Sequence, residues 1–148
     1  MKSLICALVL ATTSGGAQLA SARQPDADFV VVVSASNPVT SVTRDQASKL
    51  FLKKVPSWDN GRGDVVPVDQ PEGSPVREAF TKAVLHKSVA AVKSYWQQQI
   101  FSGRGVPPTE RPSDGEVLNF VRTNANAIGY VSASAPVGSG VKVVNVVD

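Results

Sequence analysis

The polar residues best placed to do chemistry lie between residues 69 and 77, where the chain reads Asp-Gln-Pro-Glu-Gly-Ser-Pro-Val-Arg. Ser74 is a natural helix N-cap, and Pro75 suits the first helical position, where its missing N–H would be unpaired anyway. A helix that begins there offers free backbone N–H groups and a partial positive charge, which suits the binding of an anion. Ser74 therefore has two interpretations: a cap alone, or a cap that also contacts a ligand.

A strand and a helix must position this turn. The β-branched run Val65, Val66 and Val68 precedes the Pro/Glu/Gly cluster, a pattern typical of a strand that ends in a loop. Beyond the turn, apolar residues recur at helical spacing and predict a helix from Pro75 to about Leu85. The turn therefore directs the N-terminus of this helix outward.

Catalytic and metal-binding interpretations find little support in the residues. The segment around Ser74 lacks the second glycine of a nucleophile elbow, and His86, the single histidine, falls about three helical turns further along the same helix. His86 is expected to be a solvated or capping cation at the helix end rather than a ligand. The single cysteine, Cys6, lies in the apolar leader described below. We therefore expect no enzyme activity, no cofactor and no metal.

The turn also resembles a motif of the phosphate-type solute-binding proteins of ABC transporters. Their second lobe carries a Pro-Val-x-Arg-x-Asp/Glu-Gly-Ser-Gly-Thr turn, and residues 67–76 correspond to it here. The resemblance implies one lobe of a type II periplasmic binding protein, with the turn at the carboxyl end of a strand, where open α/β sheets bind ligands. Further matching segments are Asn37-Pro-Val39, Leu50-Phe51, the Trp58-x-x-Gly61 loop, Phe80, Trp96 and Ala127-Ile-Gly-Tyr-Val131.

The turn departs from the family's pattern at three positions. Gln70 stands where the family has arginine, Pro75 removes an N–H donor, and Val76 removes a hydroxyl. A guanidinium fork is the usual holder of a tetrahedral oxyanion, and a neutral amide does not replace its charge. The resemblance thus implies a small oxyanion such as phosphate, while the departures predict a poor affinity for it. The residues that the resemblance assigns to the ligand site are Gln70, Gly73, Ser74, Val76 and Arg77.

The first 22 residues read as a signal peptide. Lys2 is followed by an apolar run from Leu4 to Ala11 and by Ala20-Ser-Ala22, which predicts cleavage after Ala22 and a periplasmic or secreted protein. The apolar run is too short to span a membrane. Cleavage leaves about 126 residues, so residues 23–148 are predicted to form a single periplasmic-binding-protein-like domain.

Composition excludes one class of partner. The formal net charge is +3, from 15 lysines and arginines against 12 acidic residues. The basic residues are scattered along the chain, and Lys53-Lys54 is the single adjacent pair. Because no basic stripe is interleaved with aromatic residues, we expect no binding to nucleic acid.

The remaining pattern predicts a three-layer α/β/α sandwich with a mixed sheet. The run Phe29–Val33 reads as a central strand buried on both faces, as in a parallel sheet. Capping patterns at Thr43, Ser88 and Ser113 predict three more helices. Val89, Val92, Trp96 and Ile100 are assigned to the core by their helical spacing, and Trp58 to its edge, with stacking on a ligand as the alternative. The segment 102–112 is predicted to be an irregular loop.

Two functions stay open at this point. One is an exported solute-binding-like module that binds a small oxyanion near Ser74. The other is a scaffold derived from a solute-binding lobe that acts through protein–protein interaction. Because a chain of this length has room for one lobe, we expect a second copy or a periplasmic or membrane protein to use its exposed faces.

Overall fold

The computed structural model describes residues 28–59 and 61–148. The predicted signal peptide and its cleavage after Ala22 lie outside these residues. Within the described ranges, no helix is both long enough and apolar enough to cross a membrane.

The described residues form one mixed sheet between two helical layers, as predicted for a three-layer α/β/α sandwich. Two short strands, β2 and β4, and one π-helical turn were not predicted from the sequence. The elements in chain order are β1 (Phe29–Ser34), β2 (Ser41–Thr43), α1 (Arg44–Phe51), β3 (Val66–Asp69), α2 (Pro75–Phe80), a π-helical turn (Thr81–Leu85), α3 (Val89–Phe101), β4 (Thr109–Glu110), α4 (Asp114–Thr123), β5 (Ala127–Ser132) and β6 (Val141–Val147).

The strand order is β2-β6-β1-β5-β3-β4, which places β1 inside the sheet as predicted. However, β1 runs antiparallel to both of its neighbours, β5 and β6, so the parallel setting predicted for it is wrong. The pairs β2–β6, β3–β5 and β3–β4 are parallel. An apolar run shows that a strand is covered on both faces, but it carries no information on the direction of the neighbouring strands.

Two hydrophobic clusters cover the two faces of the sheet. The larger one joins the sheet to α1, α2, the π-helical turn and α3, and Phe80 stacks on Tyr130 at its centre with ring centroids 4.0 Å apart. The smaller one packs Val117, Leu118 and Val121 of α4 against the opposite face. Stacked aromatic pairs stabilise a core beyond the area that they bury. The sheet around β3 and β5, which carries the turn, is therefore packed from both sides.

The helix N-caps predicted from the sequence are confirmed. Thr43 forms a capping box with Gln46, and the hydroxyls of Ser74, Ser88 and Ser113 each accept a hydrogen bond from a backbone N–H of the first turn. Trp58 is buried at the edge of the larger cluster, where its indole N–H donates to the Asn126 carbonyl.

Ile100 is the clear error in the predicted core, because 52% of it is exposed. It lies in the last turn of α3, where the helical spacing continues but the side chain is no longer covered. The loop predicted for residues 102–112 also contains β4, which pairs with the end of β3.

Candidate functional site

The turn between β3 and α2 lies at the carboxyl end of β3, as predicted. Ser74 has an extended backbone, and its hydroxyl oxygen accepts a 3.3 Å hydrogen bond from the Arg77 N–H. Pro75 occupies the first helical position. In the neighbouring strand, Glu110 of β4 lies in register with Asp69 of β3, so two carboxylates end side by side beneath the turn.

The Gln70 side chain is buried and fully engaged within the chain. Only 3% of the residue is exposed. Its amide nitrogen donates to the Asp114 carboxylate at 2.8 Å and to the Tyr130 carbonyl at 3.1 Å, and its amide oxygen accepts from the Ser74 hydroxyl at 2.9 Å. The Ser74 hydroxyl therefore directs its single proton toward Gln70, so two predicted ligand residues are bonded to each other.

Arg77 is also buried, with 4% exposed, and its guanidinium turns back toward β3. Its Nη1 donates to the Gln70 carbonyl at 2.7 Å and to the Glu110 carboxylate at 3.0 Å. Its Nη2 lies 3.5 Å from the Asp69 carboxylate. Its Nε has no hydrogen-bond partner among the described residues. Arg77 thus ties the first turn of α2 to the ends of β3 and β4.

Tyr130 completes this arrangement from β5. Its hydroxyl donates to the Asp69 carboxylate, which also accepts a 2.9 Å bond from the Gln70 N–H. Burial raises the pKa of Asp69, and this effect outweighs the opposing attraction of Arg77. Burial, reinforced by the Asp69 charge, also raises the pKa of Tyr130, so its hydroxyl remains a proton donor at neutral pH.

The charges around the turn are mainly negative. Asp69 and Glu110 pair with the Arg77 guanidinium, and the Asp114 carboxylate accepts from the Gln70 side-chain amide, so three carboxylates lie around the turn. Glu72 adds a fourth carboxylate on the exposed side, where it pairs with Lys93 at 3.3 Å. An oxyanion placed at Ser74 would therefore meet like charges at close range, which disfavours its binding.

The other two predicted ligand residues do not join this network. Gly73 faces open space, since a Cβ added there would meet no heavy atom within 4 Å. Val76 is partly buried and packs against the larger hydrophobic cluster. The structure thus brings together Gln70, Ser74 and Arg77 but not Gly73 or Val76. The ligand role assigned to all five residues stays a prediction.

Three site residues were missed from the sequence: Glu110, Asp114 and Tyr130. Asp69 lies in the stretch 69–77 but was not assigned to the ligand site. Asp114 follows the Ser113 cap and Tyr130 lies in a segment that matches the family, so both carried a signal of their position. Nothing in the sequence indicated the position of Glu110, because the strand that brings it to Arg77 has two residues and is too short to show a periodic pattern.

An open groove lies on the far side of α2 rather than at the predicted ligand residues. Its volume is about 840 Å³, and it runs between α2 and the adjoining ends of β1 and β6. Pro75 is the one turn residue that lines it, together with charged residues such as Arg44, Glu78 and Lys82. Among the described residues, no group of three or more His, Cys, Asp or Glu side chains is arranged to hold a metal ion.

A family model described as the PBP superfamily domain matches residues 27–145. The chain belongs to the PBP superfamily. Similar solved structures agree with this assignment, and the predicted resemblance to phosphate-type solute-binding proteins is confirmed. No curated protein is significantly similar in sequence to this PBP-superfamily chain.

Two of the solved structures illustrate the extent of the match. A protein named as a phosphate ABC transporter substrate-binding protein from Clostridium perfringens, solved with bound phosphate, is 25% identical with a TM-score of 0.64, covering 82% of this chain and 46% of that protein. An ABC-type phosphate transport receptor from Vibrio cholerae is 20% identical with a TM-score of 0.63, covering 80% of this chain and 46% of the receptor. The PBP-superfamily chain thus spans less than half the length of either protein.

Proposed function

We propose that this chain is a solute-binding-like lobe that works as a scaffold for a protein partner rather than as a receptor for a free oxyanion. The observation that carries the proposal is the hydrogen bond between Ser74 and Gln70, with the carboxylates around it. The groups that the resemblance assigns to a ligand are here bonded to one another.

An entering oxyanion would have to displace these internal bonds. Ser74 would have to turn its proton away from Gln70, whose buried amide oxygen would lose a partner. An unsatisfied buried polar group costs about 1–3 kcal/mol. The Arg77 guanidinium would not meet the oxyanion as a free cation, because it is already paired with Asp69 and Glu110. This balance supports a scaffold over an oxyanion receptor.

A protein partner would contact side-chain surfaces rather than extend the sheet. The edge strands β2 and β4 have three and two residues, and very short edge strands are poor templates for strand addition. The groove beside α2 is lined by both apolar and charged residues and offers a concave surface to a protein segment. We therefore propose a second copy of this chain, or a periplasmic or membrane protein, as the partner.

Binding of phosphate or another small oxyanion at Ser74 is the second candidate. It is favoured by the place of the turn, at a strand's carboxyl end and a helix start, and by the similar protein solved with bound phosphate. In this alternative, Gln70, Gly73, Ser74, Val76 and Arg77 would form the ligand site, and Gln70 would have to release Ser74 first.

Calorimetric titration with phosphate separates the two candidates. The native chain is expected to give no binding heat, whereas the triple variant Gln70→Arg, Pro75→Gly, Val76→Thr regains the family's donors and is expected to bind. Adding Ser74→Ala to the triple variant should weaken that binding. Saturable phosphate heat in the native chain, lost on Ser74→Ala alone, would establish the oxyanion receptor instead.

The proposal also places the protein outside the cytoplasm and assigns it no catalytic step. Both similar proteins described above are named for transport rather than for catalysis. Mass spectrometry of the protein recovered from cells should find a chain that begins at Arg23. A mature chain that retains Met1 or Cys6 would refute the predicted export.

A further inference from the structure

The end of α3 carries an exposed apolar cluster, which we call the α3 tip and define as Ile100, Phe101 and Val106. These residues are 52%, 97% and 62% exposed. The Phe101 side chain belongs to neither core cluster, so its burial does not stabilise the fold. Adjacent exposed apolar side chains mark an interaction surface more often than isolated ones do.

The chain reverses direction directly after α3, within the segment that joins Phe101 to Val106. The Arg104 N–H donates to the Gln99 carbonyl at 2.9 Å, and Gly103 takes a positive φ of 69° at the reversal. The Lys53 ammonium reaches the Pro107 carbonyl at 3.4 Å. The loop after α1 therefore lies beside the α3 tip.

The charged side chains within the two segments that meet at the tip are all cations. Lys53, Lys54 and Arg104 are all exposed. The two segments that meet here, residues 46–58 and 94–109, contain no aspartate or glutamate. The tip thus combines three apolar side chains with three neighbouring cations, in contrast to the acidic surroundings of Ser74.

We infer that the α3 tip docks on an anionic phospholipid surface. Lysine and arginine side chains are attracted to anionic headgroups, while an exposed phenylalanine and its aliphatic neighbours insert at the boundary between headgroups and acyl chains. The inference does not depend on whether the turn at Ser74 binds a solute, because the two regions share no residue.

Two other occupants fit the tip less well. A second copy docked through the same surface would bring two sets of lysines and arginines together, which repel each other. A stable protein interface buries about 800 Å² on each partner, which is far more than three side chains at a helix end supply. Partial insertion of a few side chains is, in contrast, how peripheral proteins contact a bilayer.

Vesicle sedimentation tests the inference with the mature protein purified from cells. Mass spectrometry of each variant first confirms that all of them have the same N-terminus. The vesicles contain phosphatidylcholine and phosphatidylglycerol in about a 2:1 ratio, and phosphatidylcholine alone serves as the neutral comparison. We expect Phe101→Ser to weaken binding about tenfold and Arg104→Gln about fivefold. Val147→Ser, at a valine that is 46% exposed on β6, is the matched control and should bind as the native chain does.

A gain-of-signal variant guards against a trivial loss of folding. Phe101→Trp should keep the binding, and its fluorescence should shift to the blue when anionic vesicles are added, while Val147→Trp should show no such shift. Equal binding by the native chain and Phe101→Ser, or equal binding to neutral vesicles, would overturn the inference. So would a change of the native mass in solution on Phe101→Ser without vesicles, which would identify a second copy as the occupant.

Discussion

The turn at residues 69–77 and the α3 tip differ in how their side chains are satisfied. At the turn, buried polar groups bond to one another across β3, β4, β5 and α4. At the tip, large apolar side chains are exposed, and the charged residues of the adjoining segments are lysines and an arginine. We therefore expect the region that resembles a family's ligand site to contribute mainly to stability, and the surface available to a partner to lie elsewhere on the same lobe.

The largest expected effect concerns the two regions' arginines. Arg77→Met leaves Asp69 buried without its cation and removes a donor from the Gln70 carbonyl, so we expect a loss of about 3 kcal/mol in the free energy of unfolding. Arg104→Met, on the exposed side of the α3 tip, should leave that free energy nearly unchanged. Urea unfolding measures both variants. Similar losses in the two variants would show that the turn is not a buried structural network.

Two glycine-to-alanine variants compare the packing beside the turn with the packing at the α3 tip. A Cβ at Gly129, in the strand beside β3, would lie 2.6 Å from Val68 Cγ1 and 2.9 Å from Val117 Cγ1. Overpacking of this kind costs about 1–3 kcal/mol, so we expect Gly129→Ala to destabilise the fold by about 2 kcal/mol. Gly105 has open space around it, and Gly105→Ala should be neutral or slightly stabilising. Thermal unfolding would contradict this account if Gly129→Ala melted like the native chain.

A third comparison uses two helix caps of the same type. Ser74 and Ser88 both cap a first turn, but Ser74 also donates to buried Gln70. Ser88→Ala should cost about 1 kcal/mol, which is typical for a lost cap. Ser74→Ala should cost roughly 1 kcal/mol more, because the Gln70 amide oxygen loses its partner. Equal losses in urea unfolding would mean that the Ser74–Gln70 bond adds nothing to the cap.

The smallest effect is a dependence on pH. The folded state raises the pKa of Asp69 above its ordinary 3.8, so it binds this proton more tightly than the unfolded state does. The stability from this group is therefore complete below about pH 3.8 and is lost as pH rises through the folded-state pKa. Asp69→Asn should remove that part of the slope when the free energy of unfolding is measured against pH. A slope unchanged in the variant would contradict the assignment to Asp69.

Sequence patterns predicted the features that depend on neighbouring residues. The caps at Thr43, Ser74, Ser88 and Ser113 were predicted because the residues that make a cap lie within one turn of each other. The apolar run of β1 predicted a central buried strand for the same reason. Its antiparallel direction depends on β5 and β6, which lie about a hundred residues further along the chain, so no local pattern contains it.

The interior of the candidate site could not be predicted for a related reason. The family's motif predicts Gln70 as a ligand residue that replaces a charged arginine, yet its side chain is held by Asp114 and Tyr130, which are 44 and 60 residues away in the sequence. Likewise, the helical spacing that predicts Ile100 in the core cannot show which turns of α3 are covered by the rest of the fold. Partners distant in sequence decide both features.

The most direct test of the central claim follows the side-chain amide of Gln70 by nuclear magnetic resonance during a phosphate titration. If the turn is closed by its own side chains, the two amide protons should exchange slowly with solvent and their shifts should stay constant as phosphate is added. Rapid exchange of these protons in the native chain, with a saturable shift on adding phosphate that Ser74→Ala abolishes, would contradict the claim and identify the turn as an oxyanion site.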